Sequence, residues 1–530
     1  MITFKKYLLD RKIIVISVFI LSIFFIAFNL FFISHYTPYT SDDVSWQVIL
    51  QSWSITNKHI AFLGGSDNYI LRAPIIYLMN HVFGFSRKSA FLESLIFEII
   101  TLSLYLFSVL YFLKEFKPKN LKLSLLPILW ISSFGFSFSI IFMNSNLRSF
   151  ELGFSFLVFA FLLYLFKKEK KSVSLKFDNI IFLLISILSG LLIFNDPYYL
   201  YFTIVPIFLF GLFCFYIKKI DLKFFFKIFL FVFISFAINL ITKSIVNHIN
   251  IIIPYQEPVR FVGFNSLSGN ITTGLKGLLI IFGANFFGSN VLSVSSVDAI
   301  INFVLLFIIL ISIILNIKHK TFTSDNIWKL FFGVLGIFIF LVYILSNFII
   351  DISTYRYLIM LVMAFVLYFS LTINDYGKEF KKILVILICS SIFLNLLLSI
   401  QQYRSLPLTT HNLSNNVNFN TIKKLRKLGL KKGYTSYWDG DINTFLSKGK
   451  IQFLPIYCSG KKTIPFYWLV DSNKYKMRVN SSFILIDPSF TSPPLCSLND
   501  IFNQFGKPLN IVSIDKEKIL IYNYDVATKM

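Results

Sequence analysis

The chain is 530 residues long, 56% hydrophobic and 18% aromatic, with a mean hydropathy of +0.72 and only 14% charged residues. A soluble protein carries about a quarter charged residues, so this composition excludes a soluble enzyme and implies a polytopic membrane protein. The net charge of +24 does not call for a nucleic-acid partner, because Lys and Arg concentrate in alternate loops, the positive-inside pattern of membrane topology.

Eleven apolar stretches approach the length needed to cross about 30 Å of hydrocarbon. They run approximately Ile13–Ile33, Phe91–Phe112, Leu123–Phe142, Leu152–Phe166, Ile180–Phe194 and Leu200–Ile217, then Phe224–Ile241, Ile300–Ile317, Leu330–Ile350, Tyr357–Leu371 and Ile383–Ile400. Basic clusters such as Lys5-Lys6, Lys167-Lys168, Lys218-Lys219 and Lys381-Lys382 place the amino terminus in the cytoplasm, and an odd number of spans then puts residues 401–530 outside. The first stretch reads as an uncleaved anchor, since no small-residue cleavage site follows it.

Directly after that anchor comes Thr40-Ser41-Asp42-Asp43. Two adjacent carboxylates are expensive to bury but cheap to keep where a helix meets water. Ser41 can cap a surface helix through Asp43, Val44, Trp46, Ile49 and Leu50, and the helix dipole near its start favours ionised carboxylates. Asp42 and Asp43 therefore suit a general base or a cation ligand; the bland reading is plain helix capping. The rest of the outer loop 34–90 holds a Gly64-Gly65-Ser66-Asp67 turn and a second amphipathic stretch, Ile70–Phe85, which fits a helix lying on the membrane surface.

Acidic residues inside spans are functional candidates by default. Glu93 and Glu98 lie in the outer half of the second span, and Glu151 opens the fourth beside Arg148, where an i, i+3 ion pair is the structural alternative. Asn195-Asp196-Pro197-Tyr198-Tyr199 is a short outer turn that brings a further carboxylate to the boundary; capping of a Pro-containing turn is its plain reading. The second large outer loop, 242–299, contains Pro254, Glu257, Pro258 and Arg260, and then the short apolar run Leu275–Phe287, read as an interfacial or re-entrant helix. Outer cations are scarce. Arg356, in Thr354-Tyr355-Arg356-Tyr357 at the mouth of the tenth span, is placed to grip a lipid phosphate with its guanidinium fork, or else snorkels to headgroups. Arg260, Arg87 and Lys243 are secondary candidates for the same task.

After Ile400 the sequence turns polar, with 18 Lys/Arg against 8 Asp/Glu. Helix signals at Asn418–Leu430 and Ile442–Lys448 and strand-like runs at Ile451–Tyr457, Phe483–Ile486, Leu509–Ile514 and Ile519–Tyr522 read as a small α/β domain. Cys458 and Cys496 fall in this external region and can form a disulfide. The six histidines are scattered, and no Cys/His metal spacing, P-loop or serine-hydrolase elbow is present,.

This arrangement resembles the GT-C superfamily of membrane glycosyltransferases, the group that includes protein O-mannosyltransferases and the aminoarabinose transferase of lipid A. The likeness rests on the anchor followed by Asp42-Asp43, on Ser189-Gly190-Leu191-Leu192 leading to Asp196-Pro197 and on to Pro206, and on Tyr355-Arg356-Tyr357 at a late helix. The resemblance implies an all-α polytopic membrane domain over residues 1–400 with a small α/β extracytoplasmic domain over 401–530, in a cell (inner) membrane. It implies inverting transfer of a sugar from a polyprenyl-phosphate donor to a hydroxyl of a glycan, lipid or protein acceptor. Asp42 or Asp43 would be the base, Arg356 would hold the donor phosphate, and loop 242–299 would close over the donor, with Asp196, Glu151, Arg260 and Glu98 lining the substrate site. Asn144, Asn146 and Glu151 stand where members often place an aspartate, so a divalent cation is left open. The alternatives are a transporter or flippase of a lipid-linked glycan, or a polysaccharide polymerase; the sequence has no inverted-repeat pattern of broken helices.

Overall fold

Long apolar helices carry most of the chain, as a sequence with 65 phenylalanines and few charges dictates. The computed structural model describes residues 16–18, 20–22, 24, 48–49, 62–63, 73–84, 87–133, 149–169, 176–248, 260–288, 290, 292–318, 323–349, 352–405, 417–468, 470–488 and 494–530. The first half comprises strand β1 (Phe62–Leu63) and helices α1 (Ala73–Phe83), α2 (Arg87–Phe116), α3 (Leu121–Ser132), α4 (Ser149–Glu169), α5 (Lys176–Asn195), α6 (Val205–Tyr216) and α7 (Leu222–His248). Then follow α8 (Phe264–Ile281), α9 (Val294–Lys318), α10 (Ser324–Leu345), α11 (Ile359–Thr372) and α12 (Lys378–Ser405).

Among the described residues eight helices are long and apolar enough to cross a membrane. They account for eight of the eleven expected spans. Of two others, Leu200–Ile217 corresponds to a π turn, Leu200–Ile204, running into the 12 residues of α6 as one apolar helix, Leu200–Tyr216, near the lower limit of about 17 residues for crossing a bilayer. Leu123–Phe142 begins in α3, and its residues 134–142 lie outside the described residues. The eleventh, Ile13–Ile33, falls mostly outside the described residues. The short apolar helix expected at Leu275–Phe287 is instead α8, which starts eleven residues earlier at Phe264 and stops before Gly283, a residue at φ +62. Its polar first half reads as turns in sequence, but Asn270 there donates to the carbonyls of Ile344 (3.0 Å) and Ser346 (3.1 Å).

One helix organises the bundle. The span Thr354–Asp375, containing α11, is 94% buried, whereas Leu222–His248 is 22% buried, so α11 is central and α7 peripheral. Aromatic rings fill the space around it edge to face: Phe112 meets Phe332 at 4.8 Å and 82°, and Tyr105 meets Phe156 at 4.8 Å and 81°, the offset geometry that aromatic quadrupoles favour. Without a hydrophobic drive between helices in lipid, close backbone approach and polar contacts matter more. Gly190 supplies the approach between α5 and α7, since a Cβ there would lie 2.5 Å from the Ser235 carbonyl oxygen. Tyr105 Oη donates to the Met363 carbonyl of α11 at 3.1 Å.

Residues 417–530 build a separate core around a mixed sheet. It contains α13 (Val417–Lys427), β2 (Lys432–Thr435), α14 (Tyr437–Leu446), β3 (Gln452–Ser459), β4 (Lys462–Pro465), β5 (Val470–Asp471), β6 (Ser482–Ile486), α15 (Leu498–Phe505), β7 (Asn510–Ile514) and β8 (Glu517–Tyr522). The six-stranded order is β4-β3-β2-β6-β8-β7, with β2 parallel to β3 and β6. Parallel neighbours need a crossover, and α14 provides it between β2 and β3. Side chains alternate between faces: Leu454, Ile484 and Leu520 pack with Ile501 and Phe505, while Phe453, Phe483 and Ile519 pack with Ile422 and Leu425. Both faces are thus covered by helices, which is why these strands read as continuous apolar runs. Strand β2 was not expected, because Lys432 and Gly433 interrupt its apolar pattern; Lys432 is buried in an ion pair with Asp525 at 3.1 Å. Helix α14 starts five residues before the expected Ile442, at Tyr437.

Cys458 of β3 and Cys496 are joined in a disulfide with Cα atoms 4.7 Å apart. Replacing both by serine should lower the stability of this sheet by about 2–4 kcal/mol and leave the helical bundle unchanged. Hydrogen exchange of full-length protein, compared between β3 and α11 peptides, checks this; equal protection of β3 in both forms would contradict it.

Candidate functional site

Asp42 and Asp43 lie outside the described residues, as does Arg148. Glu98 lies on α2, with its side chain outside the described residues. The structure does describe Glu151, Asp196, Arg356 and Arg260, and it brings the first three into one neighbourhood.

Glu151 sits in the first turn of α4 and is 4% exposed. Its Oε1 accepts a hydrogen bond from Asn195 Nδ2, the last residue of α5, at 2.6 Å. Its Oε2 has no hydrogen-bond partner among the described residues. A buried carboxylate with an unused oxygen is costly and is a natural place for a polar ligand. Asp196 follows at once, 1% exposed, and its Oδ1 accepts the Tyr198 backbone N–H at 2.9 Å, the Asx turn expected of Asp before Pro. Immediately beyond, the chain makes the π turn Leu200–Ile204, an irregularity often found at functional sites. Thr203 of that turn shares a 2.5 Å hydroxyl contact with Ser155, whose hydroxyl also bonds the Glu151 carbonyl. The turn and the start of α4 are therefore one polar unit.

Arg356 reaches this unit through stacked rings. It lies on a 3-10 helix, Ile352–Leu358, that leads into central α11. Its guanidinium sits 5.5 Å from the Tyr357 ring centroid, within cation–π range, and the Tyr357 ring stacks on Tyr198 at 5.3 Å and 24°. Phe348 closes the set, 4.3 Å from Tyr198. The 3-10 helix is held from two more sides. Tyr343 and Thr354 hydroxyls meet at 2.9 Å, and α8 approaches so closely at Gly277 that a Cβ there would lie 2.8 Å from Tyr355 Cβ. A helix from the second large loop thus braces the turn that carries Arg356.

Arg260 is not part of this cluster by any described contact. It is exposed, its backbone N–H bonding Asn347 Oδ1 at 3.0 Å, and the next residue, Phe261, bridges Ser346. Its role in the fold is to pin the loop to the end of α10. Among the described residues, no three His, Cys, Asp or Glu side chains are grouped as a metal ion needs. The cluster contains two carboxylates, a carboxamide, a guanidinium and two tyrosine rings; the guanidinium fork matches phosphate geometry, and carboxylates accept from hydroxyl groups. No protein-family model matches the chain, and no curated protein matches it either.

Two polar groupings were missed in the sequence. Asp298 is 4% exposed on α9 and accepts from Ser391 (3.0 Å) and Asn302 (3.1 Å), while Asn302 Oδ1 also receives Trp130 Nε1 at 2.9 Å. This network ties α3, α9 and α12 together. The apolar run begins at Ile300, so hydropathy alone leaves Asp298, two residues earlier, outside the span, although α9 starts at Val294. The second lies at the carboxyl end of β2, where α/β sheets hold ligands. Asp439 is 1% exposed there, and burial pushes its carboxyl up to about 7, helped by the charges of Asp487 and Glu517 and opposed by the Ser436 hydroxyl at 2.9 Å.

The raised Asp439 value has a stability consequence. Between pH ~4 and ~7 the folded protein keeps this proton and the unfolded chain does not, so Asp439 makes stability fall as pH rises. Asp439→Asn should therefore protect β2 and β6 at pH 8, by on the order of a few kcal/mol, and change little at pH 4. Hydrogen exchange at both pH values checks this, with equal effects at the two contradicting it.

Proposed function

We propose that the protein is a GT-C-like glycosyltransferase of the cell membrane that moves a sugar from a polyprenyl-phosphate donor to an acceptor hydroxyl on the external face. The observation that carries this reading is the joining of Glu151, Asn195 and Asp196 to Arg356 at one end of a bundle of apolar helices, through the Tyr198–Tyr357 stack. A lipid donor explains why such a set is carried by membrane-length helices rather than by a soluble fold.

In this reading the Arg356 guanidinium holds the donor phosphate and stabilises the charge that grows on it as the bond to the sugar breaks. The acceptor oxygen attacks the anomeric carbon from the opposite face and inverts it. Polyprenyl phosphate leaves, and the hydroxyl proton passes to Asp42 or Asp43 as general base. The Glu151 oxygen that has no partner among the described residues accepts a sugar hydroxyl. Helix α8 in loop 242–299 keeps the Arg356 turn in place.

Purified protein incubated with radiolabelled polyprenyl-phosphate sugars should transfer the sugar or slowly hydrolyse the donor. Neither product, with movement of intact lipid-linked glycan across a vesicle membrane, would identify a transporter instead.

A further inference from the structure

Two short stretches of the first large loop rest on the C-terminal sheet domain. Val48 and Ile49 are 3% and 1% exposed, and Val48 packs against Ile442 and Phe445 of α14. Farther along, β1 pairs antiparallel with β5, Leu63 opposite Val470 and Phe62 opposite Asp471. One cation joins the two contacts. Lys474, 7% exposed, donates from Nζ to the Val48 carbonyl at 3.2 Å. Burial pushes its pKa down, and the carboxylates of Asp441 and Asp471 push it back up. An aliphatic side chain would fill this site without the cost of burying an ammonium. What the lysine adds is a directional bond to the backbone of a distant loop, 426 residues away in sequence.

We propose that the C-terminal domain is a clamp for the loop that bears Asp42 and Asp43, and that Lys474 is its positioning residue. The proposal rests on the transferase reading for its catalytic consequence, but not for the clamp itself. Val48 follows Asp43 by five residues, and five residues span no more than about 18 Å even when fully extended. Fixing Val48 therefore bounds where the acid pair can be. Holding a base near its acceptor in advance replaces a costly search during each turnover. The domain thus acts on the reaction without touching substrate.

Hydrogen exchange of the full chain in lipid nanodiscs tests the clamp without an activity assay. Lys474→Ala should raise exchange of a peptide covering residues 44–50 about tenfold, with β6 and α11 unchanged. In the transfer assay the same variant should lose up to about 10²-fold in kcat with the donor KM unaltered, because Arg356 is untouched. The double variant Leu63→Cys/Val470→Cys should form a disulfide on oxidation, read by mass spectrometry of the linked peptides. Adding that link to Lys474→Ala should restore part of the lost kcat, which a merely structural defect would not permit. Unchanged exchange at 44–50, or failure of the cysteine pair to link in the otherwise native chain, overturns the clamp. Slower transfer that the link does not restore overturns the positioning role. If the native chain transfers no sugar, the transferase reading falls, and the exchange and cross-linking results still decide the clamp.

Discussion

Asp42→Asn and Asp43→Asn are expected to show which of the two carboxylates is the base, by a loss of about 10²–10⁴-fold in transfer rate for that one alone. The change is nearly isosteric and removes the negative charge and with it the ability to take a proton. Donor binding should therefore persist, since the phosphate is assigned to Arg356, and so should the folded state. Adjacent residues on a helix diverge by about 100°, so the partner aspartate should show a smaller loss, as expected of a group that orients the acceptor. Full activity in both variants, measured with a saturating donor, would reduce the pair to helix capping and leave the reaction without a base.

Arg356→Ala is the second large effect. The side chain stands over Tyr357, whose ring stacks on Tyr198 in the Asp196 turn, so its loss removes both the proposed phosphate ligand and one layer of that stack. The donor KM should rise by at least about tenfold, because hydrogen bonds to charged groups are worth roughly 1.5–3 kcal/mol. Arg356→Lys keeps the charge but not the flat fork, and should recover only part of the affinity. A variant that loses kcat while KM is unchanged would remove the donor-binding role of Arg356 and leave only its action on the transition state. Unaltered kinetics would leave it as a headgroup anchor.

The parts of this architecture that were legible in sequence are those governed by local composition. Long apolar runs mark the helices because the bilayer demands about 20 such residues, and Glu151, Asp196 and Arg356 stand out because few charges occur near them. Partnerships were not legible. Asn195 reads as an ordinary turn residue, yet it holds Glu151 from 44 positions away, a distance no periodicity reports. The same holds for Tyr198 and Tyr357: each looks like one of many boundary aromatics until the fold stacks them. Lys474 was invisible for the opposite reason, since a lysine in a polar, lysine-rich tail signals solvent, and only tertiary contact reveals it as buried. Helix α8 starts earlier than hydropathy indicates because its polar first half is held by a neighbour, Asn270 donating to the Ile344 and Ser346 carbonyls.

The most direct measurement of the central claim is release of polyprenyl phosphate from a radiolabelled polyprenyl-phosphate sugar by purified protein in nanodiscs, with the Asp42→Asn, Asp43→Asn and Arg356→Ala variants run in parallel. The native protein should release the lipid phosphate and yield a sugar product of inverted anomeric configuration. At limiting donor, Arg356→Ala and whichever of the aspartate variants lacks the base should release almost none. No release by the native protein, or equal release by all four, would contradict the assignment of this site to glycosyl transfer.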